Sequence, residues 1–239
     1  MTQLEIEYKF HISSQQAQDI NVQLQAFASE PYAIHKSDVY YRHKNISGDV
    51  VDIRLRKHTE KKCGKNTSDN ASETTSDKGG KNTREETSFF LTYKNGLNNG
   101  DEAGEVNQEF ETLVEKAEVI EHLFMMMGAE ILVKKIKLGN AYEIPFVLKL
   151  KDTTLARVML PQVMLAEVIE VESLGYFFEI EVVLDRVCLD SMGDWGDEWM
   201  DAYFLLIREK LLAMSYSLGI APSQIEQKKY MELLLSKSK

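Results

Sequence analysis

The chain has 239 residues, of which 44% are hydrophobic, so a single domain of this length can bury a substantial core. Its formal net charge of −10 argues against a nucleic-acid partner, because general nucleic-acid-binding proteins present a basic surface. It has two cysteines, a polar start and no apolar tract long enough to span a membrane, which together predict a cytoplasmic protein without a membrane partner.

The first part of the chain is predicted to contain strands and one helix. A charged β-like run in the first ten residues fits a strand. Ser13 and Gln16 match a capping box that opens a helix reaching about Phe27. Two strands follow, at about Ser37–Lys44 and Asp49–Lys57, joined by a Ser-Gly turn.

A polar segment at residues 58–86 interrupts this pattern. It contains almost no apolar residues, and Lys65-Asn66-Thr67 recurs in it as Lys81-Asn82-Thr83. Such a stretch cannot bury enough surface to offset the entropy lost on ordering. We predict a disordered or weakly ordered hairpin insertion between the third and fourth strands of a single domain that spans residues 1–239.

Strands resume after the insertion, at about Thr87–Asn95 and Glu105–Thr112. Thr112 and Glu115 match a second capping box, and Gly128 fits the residue that ends the helix between them. Further strands are predicted from residue 130 to residue 185.

The last part of the chain changes from strand to helix periodicity. An amphipathic helix is predicted at about Glu198–Leu218, ended by Gly219. Ser223 and Glu226 match the caps of a short final helix that continues through Leu235.

Ionisable residues recur two positions apart in several predicted strands, and one further set brings a single lysine beside a threonine. Side chains two apart share one face of a strand, so each set places its charges on one face and its apolar neighbours on the other. One such set is typical of a solvent-facing strand, but repeated sets segregated by sign favour an antiparallel barrel with an ionic interior. The sets are Glu5-x-Glu7-x-Lys9, Arg54-x-Arg56, Thr92-x-Lys94, Glu109-x-Glu111, Lys135-x-Lys137 and Glu179-x-Glu181.

These segments resemble those of a known superfamily. Glu5-Ile6-Glu7-Tyr8-Lys9 is similar to the N-terminal E-x-E-x-K signature of the CYTH proteins, the triphosphate tunnel metalloenzymes, and the later sets follow in the same order. The tail Lys229-Tyr230-Met231-Glu232-Leu233-Leu234 resembles the closing motif of the class IV adenylyl cyclase branch. The resemblance implies an α+β fold, a closed antiparallel eight-stranded barrel with flanking helices.

The resemblance and the chemistry of the side chains together suggest roles for the charged residues. Arg and Lys suit the oxygens of a triphosphate, and carboxylates suit Mg²⁺ or Mn²⁺. Lys9 and Lys94 are also candidates for catalysis, Glu109 and Glu111 could bind metal or neutralise nearby cations, and the role of Arg157 is open. The predicted triphosphate ligands are Lys9, Arg54, Arg56, Lys94, Lys135 and Lys137, and the predicted metal ligands are Glu5, Glu7, Glu179 and Glu181.

Two positions depart from the superfamily pattern. Lys137 stands where the superfamily usually has Arg, and Ile169 stands where it usually has Asp. Glu167 or Glu170 could compensate for Ile169, although Glu170 would face the opposite side of the strand. Loss of a metal ligand or base at this position would preserve binding while weakening turnover.

The sequence alone does not decide between three functions. The first is the adenylyl cyclase reaction, which converts ATP to cyclic AMP and pyrophosphate. The second is hydrolysis of tripolyphosphate or thiamine triphosphate, and the third is non-catalytic binding of a polyphosphate or nucleotide. Each predicts a small triphosphate-containing partner, and a homodimer is left open.

Overall fold

The computed structural model describes residues 2–44, 46–63, 83–96, 104–146, 163–185 and 197–237. Within these ranges eight strands form one closed antiparallel barrel, with helices packed outside it. This confirms the predicted fold class. The strands are β1 (Thr2–Ile12), β2 (Tyr32–Lys44), β3 (Val50–Cys63), β4 (Thr83–Gly96), β5 (Glu105–Leu113), β6 (Glu130–Pro145), β7 (Val163–Val171) and β8 (Gly175–Asp185).

The barrel closes through its first strand. Around the wall the order is β1-β5-β4-β3-β2-β6-β7-β8, and β8 pairs again with β1 over Gln3–Ile12. Each of the eight described strands therefore has two partners, and none of these strands is an edge strand. Because side chains alternate between faces, the even-numbered residues of β1 face outward and the odd-numbered ones face the lumen.

The main apolar core lies outside the barrel wall. The outward residues of β1, β7 and β8, such as Ile6 and Phe178, pack against helix α1 (Ser14–Leu24) and helix α3 (Asp197–Ser217). The predicted capping box of α1 is present, since Ser13 and Gln16 exchange both hydrogen bonds. None of the described helices is long and apolar enough to cross a membrane.

Helix α2 (Ala117–Met126) covers a second apolar cluster on the opposite part of the wall. Its Phe124 ring lies 5.0 Å from that of Tyr41, measured between centroids. The predicted capping box was wrong, because Thr112 still belongs to β5 and the helix begins after Lys116 without a side-chain cap. Gly128 ends the helix with φ +80°, as predicted.

The C-terminal helix begins later than the sequence predicted. Residues Pro222–Gln224 form a 3₁₀ turn, and helix α4 covers only Tyr230–Lys237. Between them Ile225 bridges to Phe10, and the Glu226 amide donates a hydrogen bond of 2.8 Å to the Lys9 carbonyl. Contacts with β1, which the local sequence does not encode, therefore hold this segment extended.

The predicted insertion has a structured stem. β3 continues to Cys63 and β4 begins at Thr83, with Lys61 opposite Glu85 in the ladder. Residues 58–63 and 83–86 therefore form the paired stem of a hairpin, because backbone pairing to the neighbouring strand orders polar residues that have little to bury. The rest of the insertion, residues 64–82, lies outside the described residues.

Candidate active site

The barrel encloses a cavity of about 420 Å³. Its wall is made from the inward-facing side chains of the strands, together with Lys229, Tyr230 and Met231 at the start of α4. Arg157 lies outside the described residues, and every other residue predicted for the site lines this cavity. Those residues are Glu5, Glu7, Lys9, Arg54, Arg56, Lys94, Glu109, Glu111, Lys135, Lys137, Glu179 and Glu181.

Three carboxylates converge on one part of the wall. Glu5, Glu7 and Glu181 each offer an oxygen, and these oxygens lie within 4.8 Å of one another. Glu7 and Glu181 are directly opposite in the β1–β8 ladder, and Glu5 is two residues from Glu7 on the same face. This arrangement follows from the register of two strands that are far apart in the sequence.

The cluster fits a divalent cation. Burial and the charges of Glu179 and Glu5 raise the pKa of Glu7 to about 8. Burial and the charges of Glu5 and Glu7 likewise raise the pKa of Glu181 well above its usual range. Carboxylates that are this close need a cation if all are to be ionised, and hard oxygen ligands without His or Cys suit Mg²⁺ or Mn²⁺.

Glu179 occupies a different position from the other predicted metal ligands. Its Oε2 accepts a hydrogen bond of 2.5 Å from Lys137 Nζ, and both side chains are buried. The Lys137 charge lowers the pKa of Glu179 although burial alone would raise it. The three-carboxylate cluster therefore contains three of the four predicted ligands, and Glu179 instead neutralises a predicted triphosphate ligand.

Lys94 connects the acidic cluster to the basic residues. Its Nζ donates a hydrogen bond to Glu5 and lies 3.5 Å from Glu109. Burial opposes both charges, yet this pairing lowers the pKa of Glu5 to about 2 and raises the pKa of Lys94 above its ordinary value. Lys94 is therefore a fixed positive charge in the lumen.

The two arginines of β3 are both held by acidic partners. Arg54 donates to Glu109 at 3.0 Å and to Thr92 at 3.1 Å. Arg56 makes a bidentate pair with Asp38, with distances of 2.7 and 3.0 Å. The guanidinium groups are thus oriented before any ligand arrives.

Tyr40 lines the cavity and Asp38 binds two of its cations, although neither residue was predicted for the site. The fully buried Asp38 carboxylate also lies 2.9 Å from Lys135, which donates a hydrogen bond of 3.0 Å to the Tyr40 hydroxyl. The signal was present, since Lys36, Asp38 and Tyr40 show the same two-residue spacing as the predicted sets.

Ile169 belongs to an apolar cluster at one end of the lumen. It is buried against neighbours that include Ile34, Phe177 and Tyr230. Glu167, two residues earlier on the same face of β7, is buried and paired with Lys36. The carboxylate on this face of β7 is therefore Glu167. Ile169 instead packs in the apolar cluster that includes Tyr230.

Comparison with solved structures places this fold among known proteins. No family model and no curated protein matches the chain. Solved structures do match, among them a Pyrococcus horikoshii protein, PH1819, at 21% identity and TM-score 0.59, over 98% of this chain and 99% of that one. A proposed adenylate cyclase from Vibrio parahaemolyticus matches at 14% identity and TM-score 0.56, over 97% and 98%.

The third structure is a chain of the Schizosaccharomyces pombe Mediator head module, at 13% identity and TM-score 0.50, over 91% of this chain and 96% of that one. At these identities the comparisons establish the fold. The closed eight-stranded antiparallel barrel with a charged lumen is therefore the fold that the sequence predicted, and these structures share it. The presence of this fold in a Mediator subassembly means that activity must be argued from the lumen itself.

Proposed function

We propose that the protein is a metal-dependent enzyme that acts on the triphosphate group of a small molecule, with the adenylyl cyclase reaction as the first candidate. The observation that carries the proposal is the convergence, in one cavity, of a three-carboxylate cluster and the predicted Lys and Arg side chains. The cluster supplies metal ligands, and the basic residues supply the charge that a polyanion needs.

The basic residues already hold anions, namely the carboxylates of the wall. Arg56 is bound by Asp38, Arg54 by Glu109, and Lys137 by Glu179. The oxygens of a triphosphate have the same bidentate geometry and a higher charge than a carboxylate. Binding is therefore an exchange of one set of charge-assisted hydrogen bonds for another, in a site whose side chains are already positioned.

The metal would be held by Glu5, Glu7 and Glu181. When bound, Mg²⁺ or Mn²⁺ would neutralise charge on the phosphoryl oxygens as a Lewis acid. Glu5 is held by Lys94 in the present arrangement. When Lys94 turns to a phosphate oxygen, the Glu5 carboxylate is released toward the cluster, so the chain's own ion pair links the two binding events.

Cyclisation of ATP needs positioning and charge more than a covalent partner. The ribose 3′-hydroxyl would lose its proton to solvent as its oxygen attacks the α-phosphorus, the bond from that phosphorus to the bridging oxygen would break, and pyrophosphate would leave. Lys94 remains protonated because of its raised pKa, so it stabilises the leaving charge. Val50 and Val183, which line the cavity and are exposed, would meet the nucleoside. The proposed adenylate cyclase from Vibrio parahaemolyticus supports this candidate through its shared fold.

Hydrolysis of tripolyphosphate or thiamine triphosphate is the second candidate. It is favoured by the charged character of the lining, which accounts for a triphosphate without any contact to a nucleoside. One assay separates the reactions. Purified protein is incubated with ATP, tripolyphosphate and thiamine triphosphate, each with Mg²⁺ or Mn²⁺, and the products are resolved.

Each product identifies one reaction. Cyclic AMP with pyrophosphate supports the cyclase, whereas orthophosphate supports the hydrolase. Binding without any product would refute the proposal that the protein is an enzyme and would support a polyphosphate-binding protein. Glu181→Gln should abolish turnover, and Glu170→Gln is the matched control, because Glu170 lies on the outer face of the neighbouring strand and is exposed.

A further inference from the structure

The two ends of the lumen differ in their access to solvent. The side chains of Glu111 and Lys94 are 29% and 25% exposed, whereas those of Lys9 and Lys135 are each 3% exposed. The second pair lies beside Tyr230, which α4 inserts into the barrel and which is itself buried. A ligand therefore enters at the Glu111 end and travels toward Tyr230.

Tyr230 is fixed in place by apolar packing behind it. Its ring meets that of Phe177 edge-on, with centroids 4.9 Å apart and planes at 82°. Ile34, Ile169 and Val171 complete the cluster that supports these rings. The lumen thus ends on an aromatic surface that is backed by the packed core of the barrel's closed end.

Three ammonium groups converge on the Tyr230 ring. The Nζ atoms of Lys9 and Lys137 each lie 4.7 Å from its centroid, and that of Lys135 lies 5.0 Å away. These distances are typical of cation–π contacts. The ring therefore fills the space beside the innermost lysines of the lumen. Without the ring, a phosphoryl group or a group attached to it could bind in that space.

The Tyr230 hydroxyl remains neutral in this environment. Burial and the charge of Glu179 raise the pKa of Tyr230 well above its ordinary value. A neutral phenol can donate a hydrogen bond to a phosphate oxygen, whereas a phenolate would repel it. The phenol is therefore chemically compatible with an adjacent phosphate. The volume of the ring leaves no room for a further group attached to that phosphate.

We propose that Tyr230 is the specificity-determining floor of the tunnel, against which the free terminal phosphate of the substrate stops. The inference rests on the proposed function and adds a selection rule to it. A triphosphate whose terminal phosphate is unesterified fits. A triphosphate that carries an organic group on its terminal phosphate is rejected, because that group would have to occupy the volume of the ring.

A ligand pair with and without such a group tests this rule. ATP and its γ-phenyl ester are titrated into the wild type, Tyr230→Ala and Tyr230→Phe by calorimetry, with and without Mn²⁺, and product formation is checked in each titration. The charge lost on esterification is the same for all three proteins, so the ratio of the two dissociation constants isolates the steric effect. The wild type should bind ATP much more tightly than the γ-phenyl ester.

Tyr230→Ala opens a space of the size of the phenyl group, so the preference for ATP should fall by at least about tenfold. Tyr230→Phe keeps the ring and should keep the wild-type ratio. The proposed role of Tyr230 would be refuted if the ratio of dissociation constants were unchanged in Tyr230→Ala. It would also be refuted if the ratio fell equally in Tyr230→Phe. If the wild type binds ATP in neither condition, the adenylyl cyclase candidate fails and the inference fails with it.

Folding of each variant is checked by thermal melting. If Tyr230→Ala does not fold, Tyr230→Leu carries the same test, because leucine keeps an apolar side chain against Phe177 while removing the ring. The fall in the ratio is then expected in Tyr230→Leu, and a wild-type ratio there would refute the proposal.

Discussion

Replacing Asp38 by Asn should destabilise the barrel strongly. The carboxylate is fully buried and accepts hydrogen bonds of 2.7 and 3.0 Å from Arg56, and it lies 2.9 Å from Lys135. Asn preserves the shape of the side chain but removes its charge. Two buried cations would then lose the anion that they share.

The magnitude follows from the burial of this cluster. Removing one partner of a buried ion pair costs about 3–5 kcal/mol, because the remaining charge is left uncompensated in a low-dielectric site. For a chain of this length each kcal/mol lowers the melting temperature by about 2–4 °C, so a decrease of roughly 6–20 °C is expected.

Asp52→Asn is the matched control. Asp52 also makes a bidentate pair, with Arg42 across the same two strands, but these side chains are 27% and 42% exposed. An exposed pair contributes less than about 1 kcal/mol. Thermal melts of both variants should be recorded in a buffer without phosphate. If Asp38→Asn melts within about 2 °C of Asp52→Asn, the buried pair does not have the energetic role assigned to it.

The pH dependence gives an independent check. Although burial opposes it, Arg56 and Lys135 lower the pKa of Asp38 well below its ordinary value. A carboxyl with a depressed pKa in the folded state contributes stability that is present above the unfolded value, about 3.9, and lost as the pH falls below it. The gap in melting temperature between the wild type and Asp38→Asn should therefore narrow below about pH 4. A gap that stays constant would contradict the lowered pKa.

Two further variants should separate rate from affinity. Glu5→Gln should nearly abolish turnover while tripolyphosphate still binds, because it removes one charge from the three-carboxylate cluster. An assay of Mn²⁺-dependent activity, together with a calorimetric titration of tripolyphosphate, checks this. Arg54→Ala should weaken tripolyphosphate binding by about 1.5–3 kcal/mol and reduce its salt sensitivity, with Arg84→Ala as an exposed arginine control. A Glu5→Gln protein with unchanged Mn²⁺ dependence, or an Arg54→Ala protein with unchanged affinity, would contradict these roles.

The sequence was informative wherever function depends on the alternation of side chains along a strand. Glu5, Glu7 and Lys94 could be placed in a lumen because period-two spacing determines which residues share a face. The sets could be combined into one barrel only through the resemblance to a known superfamily, since strand order depends on pairings between distant segments.

What the sequence could not provide depends on contacts between distant segments. Helix α4 starts at Tyr230 because the preceding residues bridge to β1, and nothing in the local sequence predicts that the tyrosine would enter the barrel. Ile169 stands where the superfamily usually has Asp, and only the structure shows that it packs among apolar side chains while Glu167 pairs with Lys36. The Thr112 cap was wrong because β5 extends through that residue.

The ion pairs of the lumen predict that triphosphate and metal bind interdependently. Under the proposed metal assignment, Glu5 would be only partly available to a metal while Lys94 holds it. The lowered pKa of Glu5 reflects the strength of that pairing against its burial. A triphosphate that attracts Lys94 frees Glu5, and a metal that attracts Glu5 frees Lys94. By linkage each ligand should raise the affinity for the other by the same factor.

Lys94→Gln tests this coupling, because Gln leaves Glu5 without a cation to hold it. Mn²⁺ alone should then bind more tightly than to the wild type, since a competing positive charge has gone, and tripolyphosphate should increase Mn²⁺ affinity less than it does in the wild type. Tripolyphosphate also binds Mn²⁺ in solution, but it does so equally in both titrations, so the difference between the two proteins isolates the contribution of the ion pair. If Lys94→Gln weakened Mn²⁺ binding in the absence of tripolyphosphate, Lys94 would support the metal site rather than compete with it.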